Sequence, residues 1–189
     1  MPVEIEERFL IPKEEFNSSK EHIDRHSVSI FIRQAYLISD PECTLRIRSS
    51  LTTEPHPPSN ISFITVKGRK EGISCQEFEM EVSKEISEFL FSFIGKNSLV
   101  KVRYKYKASD GHIWEIDEFL NDQLKDIVIA EIELKEGNET FVYPPFLSRA
   151  SKISYDHSFS NSALSRRIRK KNLGTFIRWL CKNIFGLLG

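Results

Sequence analysis

The stretch Glu77-Phe78-Glu79-Met80-Glu81-Val82 alternates charge and hydrocarbon at every step. Successive side chains of a strand point to opposite faces, so its three carboxylates share one side and Phe78, Met80 and Val82 the other. The same sorting recurs outward from this segment. Thr65 and Lys67 oppose Ile64 and Val66, while Arg46 and Arg48 alternate with Leu45 and Ile47. Lys101, Arg103 and Lys105 fall on one face, as do Glu115 and Asp117. Glu4, Glu6 and Arg8 oppose Val3, Ile5 and Phe9; Glu131 and Glu133 oppose Ala130, Ile132 and Leu134. A half-buried sheet with one solvated face accounts for any single strand of this kind. The set asks for more, because nearly all-acidic strands stand beside nearly all-basic ones. A solvated face would more often mix signs and so avoid like-charge repulsion.

Eight strands are predicted: Val3–Ile11, Phe31–Ile38, Cys43–Ser50, Ile61–Arg69, Ile73–Val82, Leu99–Lys107, His112–Phe119 and Ile127–Lys135. Lys67–Gly72 and Ser109-Asp110-Gly111 read as hairpin turns, and Thr52–Asn60, with three prolines, as an exposed loop. Helices are expected over Lys13–Arg25, after Pro12, and Lys84–Ile94, after a Ser83 cap. The fold class is α+β: an eight-stranded antiparallel β-barrel, or tunnel, with a charged interior and peripheral helices. Turned this way, the barrel is polar inside and apolar outside. Enclosing so many charges is costly without metals and an anionic substrate to complete the site.

Composition narrows the class. The 189 residues are 40% hydrophobic and 29% charged, with 27 basic and 27 acidic side chains, enough for one domain with a core. Three cysteines without a C-x-x-C pair (Cys43, Cys75, Cys181) argue against a disulfide framework or a zinc site. His22 and His26 read as an ordinary helix face. No apolar run approaches a membrane span, and the acidic start predicts a cytoplasmic setting. No P-loop is present. Residues 165–189 carry Arg166, Arg167, Arg169, Lys170, Lys171, Arg178 and Lys182 and no acid, which leaves 1–164 with 20 basic against 27 acidic residues. That acidic body excludes general nucleic-acid binding through a basic surface.

Carboxylates at i and i+2 can converge on a hard divalent cation, and basic strands facing them can grip polyphosphate oxygens. In this order the motifs resemble those of the CYTH domains, or triphosphate tunnel metalloenzymes. Glu4-Ile5-Glu6-Glu7-Arg8 is similar to their opening Glu-x-Glu-x-Lys, Arg46-Ile47-Arg48 to their Arg-x-Arg, and Thr65-Val66-Lys67-Gly68 to Thr-x-Lys-Gly. Glu77-Phe78-Glu79, Lys101-Val102-Arg103, Trp114–Phe119 and Glu131-Ile132-Glu133 follow co-linearly, spanning about residues 3–164. The resemblance implies a divalent-metal-dependent inorganic triphosphatase using Mg2+ or Mn2+. By motif, Glu4, Glu6, Glu79, Asp117, Glu131 and Glu133 would hold metal. Arg8, Arg46, Arg48, Lys67, Lys101 and Arg103 would bind phosphates. Glu4, Glu6, Arg8, Glu77, Glu79 and Asp117 would form the catalytic set. The resemblance also admits a class IV-type adenylate cyclase, a nucleoside or thiamine triphosphatase, or a non-catalytic polyphosphate-binding module. Two departures bear on that choice. Arg8 replaces the signature lysine, and Lys152, Ser158 and Phe159 stand where Glu, Arg and Tyr are usual.

The chain divides into a tunnel domain, 1–164, and a basic amphipathic tail, 165–189. In the tail Leu173, Phe176, Ile177, Leu180, Ile184, Leu187 and Leu188 recur near helical period. Such a helix packs on the apolar outside of the barrel, lies on an anionic membrane surface, or meets a protein partner.

Overall fold

The computed structural model describes residues 3–40, 42–52, 59–94 and 98–168. In chain order these form β1 (Val3–Ile11), α1 (Lys13–His26), β2 (Ser27–Ser39), β3 (Thr44–Thr52), β4 (Ser59–Glu71), β5 (Ser74–Val82), α2 (Lys84–Ile94), β6 (Leu99–Lys107), β7 (Ile113–Phe119), β8 (Val128–Leu134) and the two-residue β9 (Ser151–Lys152). A third helix, α3, is described over 161–168. The strands follow one another as β5-β4-β3-β2-β6-β7-β8-β1, and β1 returns to β5, closing an eight-stranded barrel. Every pairing is antiparallel, and β9 adds two residues beside the far half of β1.

Register brings the charged faces together inside. Arg8 stands opposite Glu131 and Glu6 opposite Glu133. Arg103 faces Asp117 and Lys105 faces Glu115. Lys67 pairs with Glu77, and Thr65 with both Glu79 and Arg46. The hydrophobic core consequently sits outside the barrel. Phe16 and Ile23, seven residues apart on one face of α1, cover Phe9, Ile11, Tyr104, Trp114, Ile116, Ala130 and Ile132, joined by Phe146 and Leu147. Glu14 and Glu15 in the first turn of α1 and Arg25 and His26 in its last suit the helix dipole. On the other side α2 lays Phe91 on Ala35 of β2 and Ile47 of β3. A third cluster closes one end of the tunnel, where Leu164 and Ile168 of α3 meet Leu99, Phe119, Leu124, Ile129 and Ile153. Ser160 caps α3, its Oγ accepting from the Ala163 N–H at 3.1 Å.

Several expected boundaries move. β2 begins at Ser27, directly after α1, which extends to His26. The loop expected over Lys67–Gly72 is mostly strand. Gly72, at φ +61°, allows a tight turn, and the surplus residue is absorbed by an irregularity between Lys67 and Lys70. Of the expected loop Thr52–Asn60, Thr52, Ser59 and Asn60 are in strands, and 53–58 lie outside the described residues. α3 runs unbroken across the boundary at 164, so the first residues beyond it belong with the barrel's end. The amphipathic stripe from Leu173 onward lies outside the described residues. Among those described, no helix is long and apolar enough to cross a membrane.

Candidate active site

The tunnel encloses about 2090 Å³ and is lined by the charged faces of the strands. Two of its walls hold their charges differently. On β6, β7 and β8, Arg103 sits at the centre of a closed network. Its Nε and Nη2 donate to Asp117 at 2.7 Å each, Nη2 donates to Glu131 at 2.8 Å, and Nη1 pairs with Glu115. Lys101 pairs with Asp117 and lies 3.4 Å from Asn161 Oδ1; both Lys101 and Asp117 are 1% exposed. Burial opposes the charge on Arg103, but Asp117 and Glu115 outweigh it and hold the guanidinium firmly protonated. Burial likewise works against the Asp117 carboxylate, and Arg103 and Lys101 overcome it. Lys101 is pushed down, first by burial and then by Arg103 beside it.

The wall of β3, β4 and β5 is looser. Arg48 makes a two-oxygen contact with Glu79 at 2.9 and 3.0 Å, and the Thr65 hydroxyl donates to Glu79 at 2.8 Å. Lys67 reaches Glu77 at 2.9 Å, while Arg46 stands 3.7 and 3.9 Å from Glu77 and Glu79. Burial and the neighbouring Arg46 lower the pKa of Arg48. Between the walls, on β1, Arg8 is 3% exposed. Its closest carboxylate, Glu6, is 3.6 Å from Nε, and neither Nε nor Nη2 has a hydrogen-bond partner among the described residues. The Arg48 Nε is in the same condition. A buried guanidinium N–H without an acceptor costs about 1–3 kcal/mol or more, so these donors are set for an anion.

Carboxylates crowd the same region. Glu131 is raised, first by burial and then by Glu6 and Asp117, with Arg103 and Lys101 only partly offsetting them. Among the described residues no group of three His, Cys, Asp or Glu converges as a ready-made metal cage. The all-oxygen donors still fit a small hard cation. Such a cation commonly takes one or two carboxylates and completes its shell with water and substrate phosphates. Glu133 is exposed on the tunnel rim. Glu4 is described by its backbone only, opposite Cys75 on β5.

Of the predicted residues, all but Glu4, whose side chain is not described, and Asp117 line the tunnel; Asp117 is buried behind that lining with both oxygens committed to Arg103 and Lys101. The lining is also less uniformly charged than expected. β2 contributes Val28, Ile30, Ile32, Gln34 and Tyr36, and β4 adds Ile61 and Phe63. Sequence reading missed this strip because an apolar alternation looks the same facing inward or outward. The signal was in the register: Ile30 and Ile32 lie opposite Arg103 and Lys101. Tyr36 is buried, which pushes its hydroxyl pKa up against the pull of Arg46. The substituted positions are accommodated locally. Lys152 pairs with the buried Glu7 at 2.7 Å. Beyond Ser158, Arg166 of α3 supplies a tunnel-lining cation, its Nη1 donating to Ser39 at 2.8 Å and Ser162 at 3.0 Å.

No protein-family model matches the chain. Individual relatives do. An inorganic triphosphatase of Acetivibrio thermocellus is 32% identical over 165 residues, 87% of this chain and 94% of that protein. Another from Nitrosomonas europaea is 27% identical over 168 residues, 87% and 98% of the two chains. Among solved structures, an inorganic triphosphatase superposes with TM-score 0.54 at 25% identity, covering 87% of this chain and 95% of that one. A Hippeastrum protein studied as an adenylyl cyclase and found to have a dominant triphosphatase activity shares the fold. It has TM-score 0.51 at 17% identity over 72% and 80% of the two chains. The inverted barrel, its inward charge order and an alignment at 32% identity over nearly the whole of a relative agree: the chain belongs to the inorganic triphosphatases, of the CYTH or triphosphate-tunnel type.

Proposed function

We propose that the protein hydrolyses inorganic triphosphate to pyrophosphate and orthophosphate inside the tunnel, with Mg2+ or Mn2+. The observation that carries this reading is the pair of guanidinium groups with a buried Nε that lacks a partner among the described residues, on the buried Arg8 and the half-buried Arg48, in a tunnel that could hold a small polyanion. The relatives' names point to the same chemistry. Arg8, Arg46, Arg48 and Lys67 would take the phosphate oxygens, and neutralising them removes the charge that repels an attacking water. Lys101 and Arg103 would present further positive charge from the opposite wall, held in place by Asp117 and Glu115. Glu6 and Glu131, with Glu4 and Glu133, would hold the divalent cation, which polarises phosphoryl oxygens and orients the leaving group. Glu77 and Glu79 would position water or a second cation once the incoming phosphates draw Arg48 and Lys67 toward themselves. Asp117, as a carboxylate shared by two cations, would act by positioning them.

The test is release of orthophosphate from inorganic triphosphate with Mg2+, with Mn2+ and after chelation, alongside Glu6→Gln and Arg8→Ala. Metal-dependent release that both substitutions reduce at least 10-fold is the expected result. Tight triphosphate binding without turnover would favour the non-catalytic binding module. One observation favours a second reading. The uncharged strip of Ile30, Ile32, Ile61 and Phe63 offers a surface to an organic group on the last phosphate, as in a nucleoside or thiamine triphosphate. Comparing kcat/KM for inorganic triphosphate, ATP and thiamine triphosphate separates the two readings.

A further inference from the structure

Outside the tunnel, α2 exposes three large apolar side chains, Ile86, Phe89 and Phe93, with Phe89 and Phe93 at 62% and 72%, and β5 exposes Phe78 and Met80. They flank a packed seam. Leu90 and Ile94 of α2, like Ile64 and Val82, pack against the Ala35, Ile47 and Phe91 cluster, and Ile64 and Val66 stand opposite Met80 and Phe78 in the β4–β5 ladder. Ile86, Phe89 and Phe93, spaced three and four apart, form a second apolar stripe beside the one that α2 buries. A helix apolar over so much of its circumference normally has a neighbour on both stripes.

We infer that the chain's own C-terminal segment, Leu173–Leu188, is that neighbour, docking as an amphipathic helix antiparallel to α2 across Phe93, Phe89 and Ile86. Three observations on this chain select it. First, the tail starts in the right place. α3 ends its described course at Ile168, in the same buried cluster as Leu99, and Leu99 follows the end of α2 in the chain by a link of four residues (95–98). Second, the lengths match. Residues 169–172 span up to about 13 Å when extended, and a helix over 173–188 is about 24 Å long, enough to cover α2 at about 16 Å. Third, the charges complement. The tail from Leu173 onward carries Arg178 and Lys182 and no acid. Toward the start of α2 the surface offers Glu85 and Glu88, with two opposing charges beside them, Lys84 at 3.7 Å from Glu88 and Arg33 of β2, whose guanidinium lies 4.3 Å from the Phe91 ring. Run antiparallel, the tail brings Lys182 toward that acidic end. This docking does not depend on the tunnel's chemistry.

Hydrogen exchange of the full-length protein, read by mass spectrometry at several protein concentrations, tests it. Amides within 174–188 are expected to exchange at least 10-fold more slowly than an unstructured peptide of the same sequence, in a monomer and without lipid. Phe89→Glu/Phe93→Glu, both on exposed positions, should abolish that protection while leaving the barrel's exchange unchanged. Leu180→Glu/Ile184→Glu should do the same from the other side and expose α2. Protection that survives both pairs of substitutions would overturn the inference. So would protection that grows with concentration alongside a dimer, which would assign the patch to a second copy. Protection that appears only with vesicles containing about 30% phosphatidylserine would overturn it in favour of a membrane surface.

Discussion

The two charged walls of the tunnel are built from the same residue types and differ in how completely they are spent. On the β6–β7–β8 wall, Arg103 engages three carboxylates and the buried Lys101 and Asp117 complete the network. On the β3–β4–β5 wall, Arg46 stands 3.7 and 3.9 Å from Glu77 and Glu79, the Arg48–Glu79 and Lys67–Glu77 pairs are partly exposed, and Arg48 keeps a donor in reserve, as does Arg8 on β1. A fully paired buried network holds geometry, because removing one member strands the others without solvent. A partly paired one can exchange its protein partners for a ligand at little cost. The first wall is therefore read as the frame of the site and the second, with Arg8, as its grip.

That contrast can be broken most forcefully at Arg103. Arg103→Ala leaves Asp117, Glu115 and Glu131 crowded without their shared cation and should destabilise the fold by about 3–5 kcal/mol in urea unfolding. A loss below about 1 kcal/mol would show that the frame is no frame. On the gripping wall the balance should reverse. Arg48→Ala should lower kcat/KM for inorganic triphosphate by roughly 100-fold while changing unfolding free energy by less than about 1 kcal/mol, since its pairs are partly solvated. Equal effects of the two substitutions on stability would erase the distinction. Arg8→Lys sharpens it further. An ammonium keeps the charge but loses the fork, so kcat/KM should fall by about 10-fold. An increase would mean that a compact cation suits this position better than the broad guanidinium.

The smallest expected effect lies outside both walls, at the rim. His112 sits between Asp110, 2.9 Å from Nδ1, and Glu139, 3.1 Å from Nε2, tying the β6–β7 turn to the segment after β8. Asp110 first, then Glu139, raises its pKa. A group raised in the folded state stabilises fully below its unfolded pKa of about 6.5 and loses that contribution as pH rises through the folded value. The difference in Tm between wild type and His112→Gln should therefore be of order a degree or two at pH 6 and shrink toward pH 8.5. A difference that grows with pH would exclude a protonated His112 as the tie.

Much of this was legible along the chain because a strand's two faces have a period of two. Glu77, Glu79, Lys101, Arg103 and Asp117 could be assigned to one face from spacing alone, and all eight long strands were anticipated, Val3–Ile11 and Leu99–Lys107 with the ends they have and the other six with shifted ends. Legibility failed where alternation carries no charge, as on β2, and where a position depends on tertiary packing, as for Arg166. It also failed at the turn near Gly72, where a positive φ shortened an apparent loop into strand.

By itself, then, the sequence determined the alternation, the segregation of acidic from basic strands and the order of motifs, since these depend only on covalent neighbours and backbone geometry. Which cations are spent on the frame and which are left for a ligand was decided only by the closed barrel. Pairing between strands far apart in the chain sets each distance, and burial sets what each unpaired donor costs.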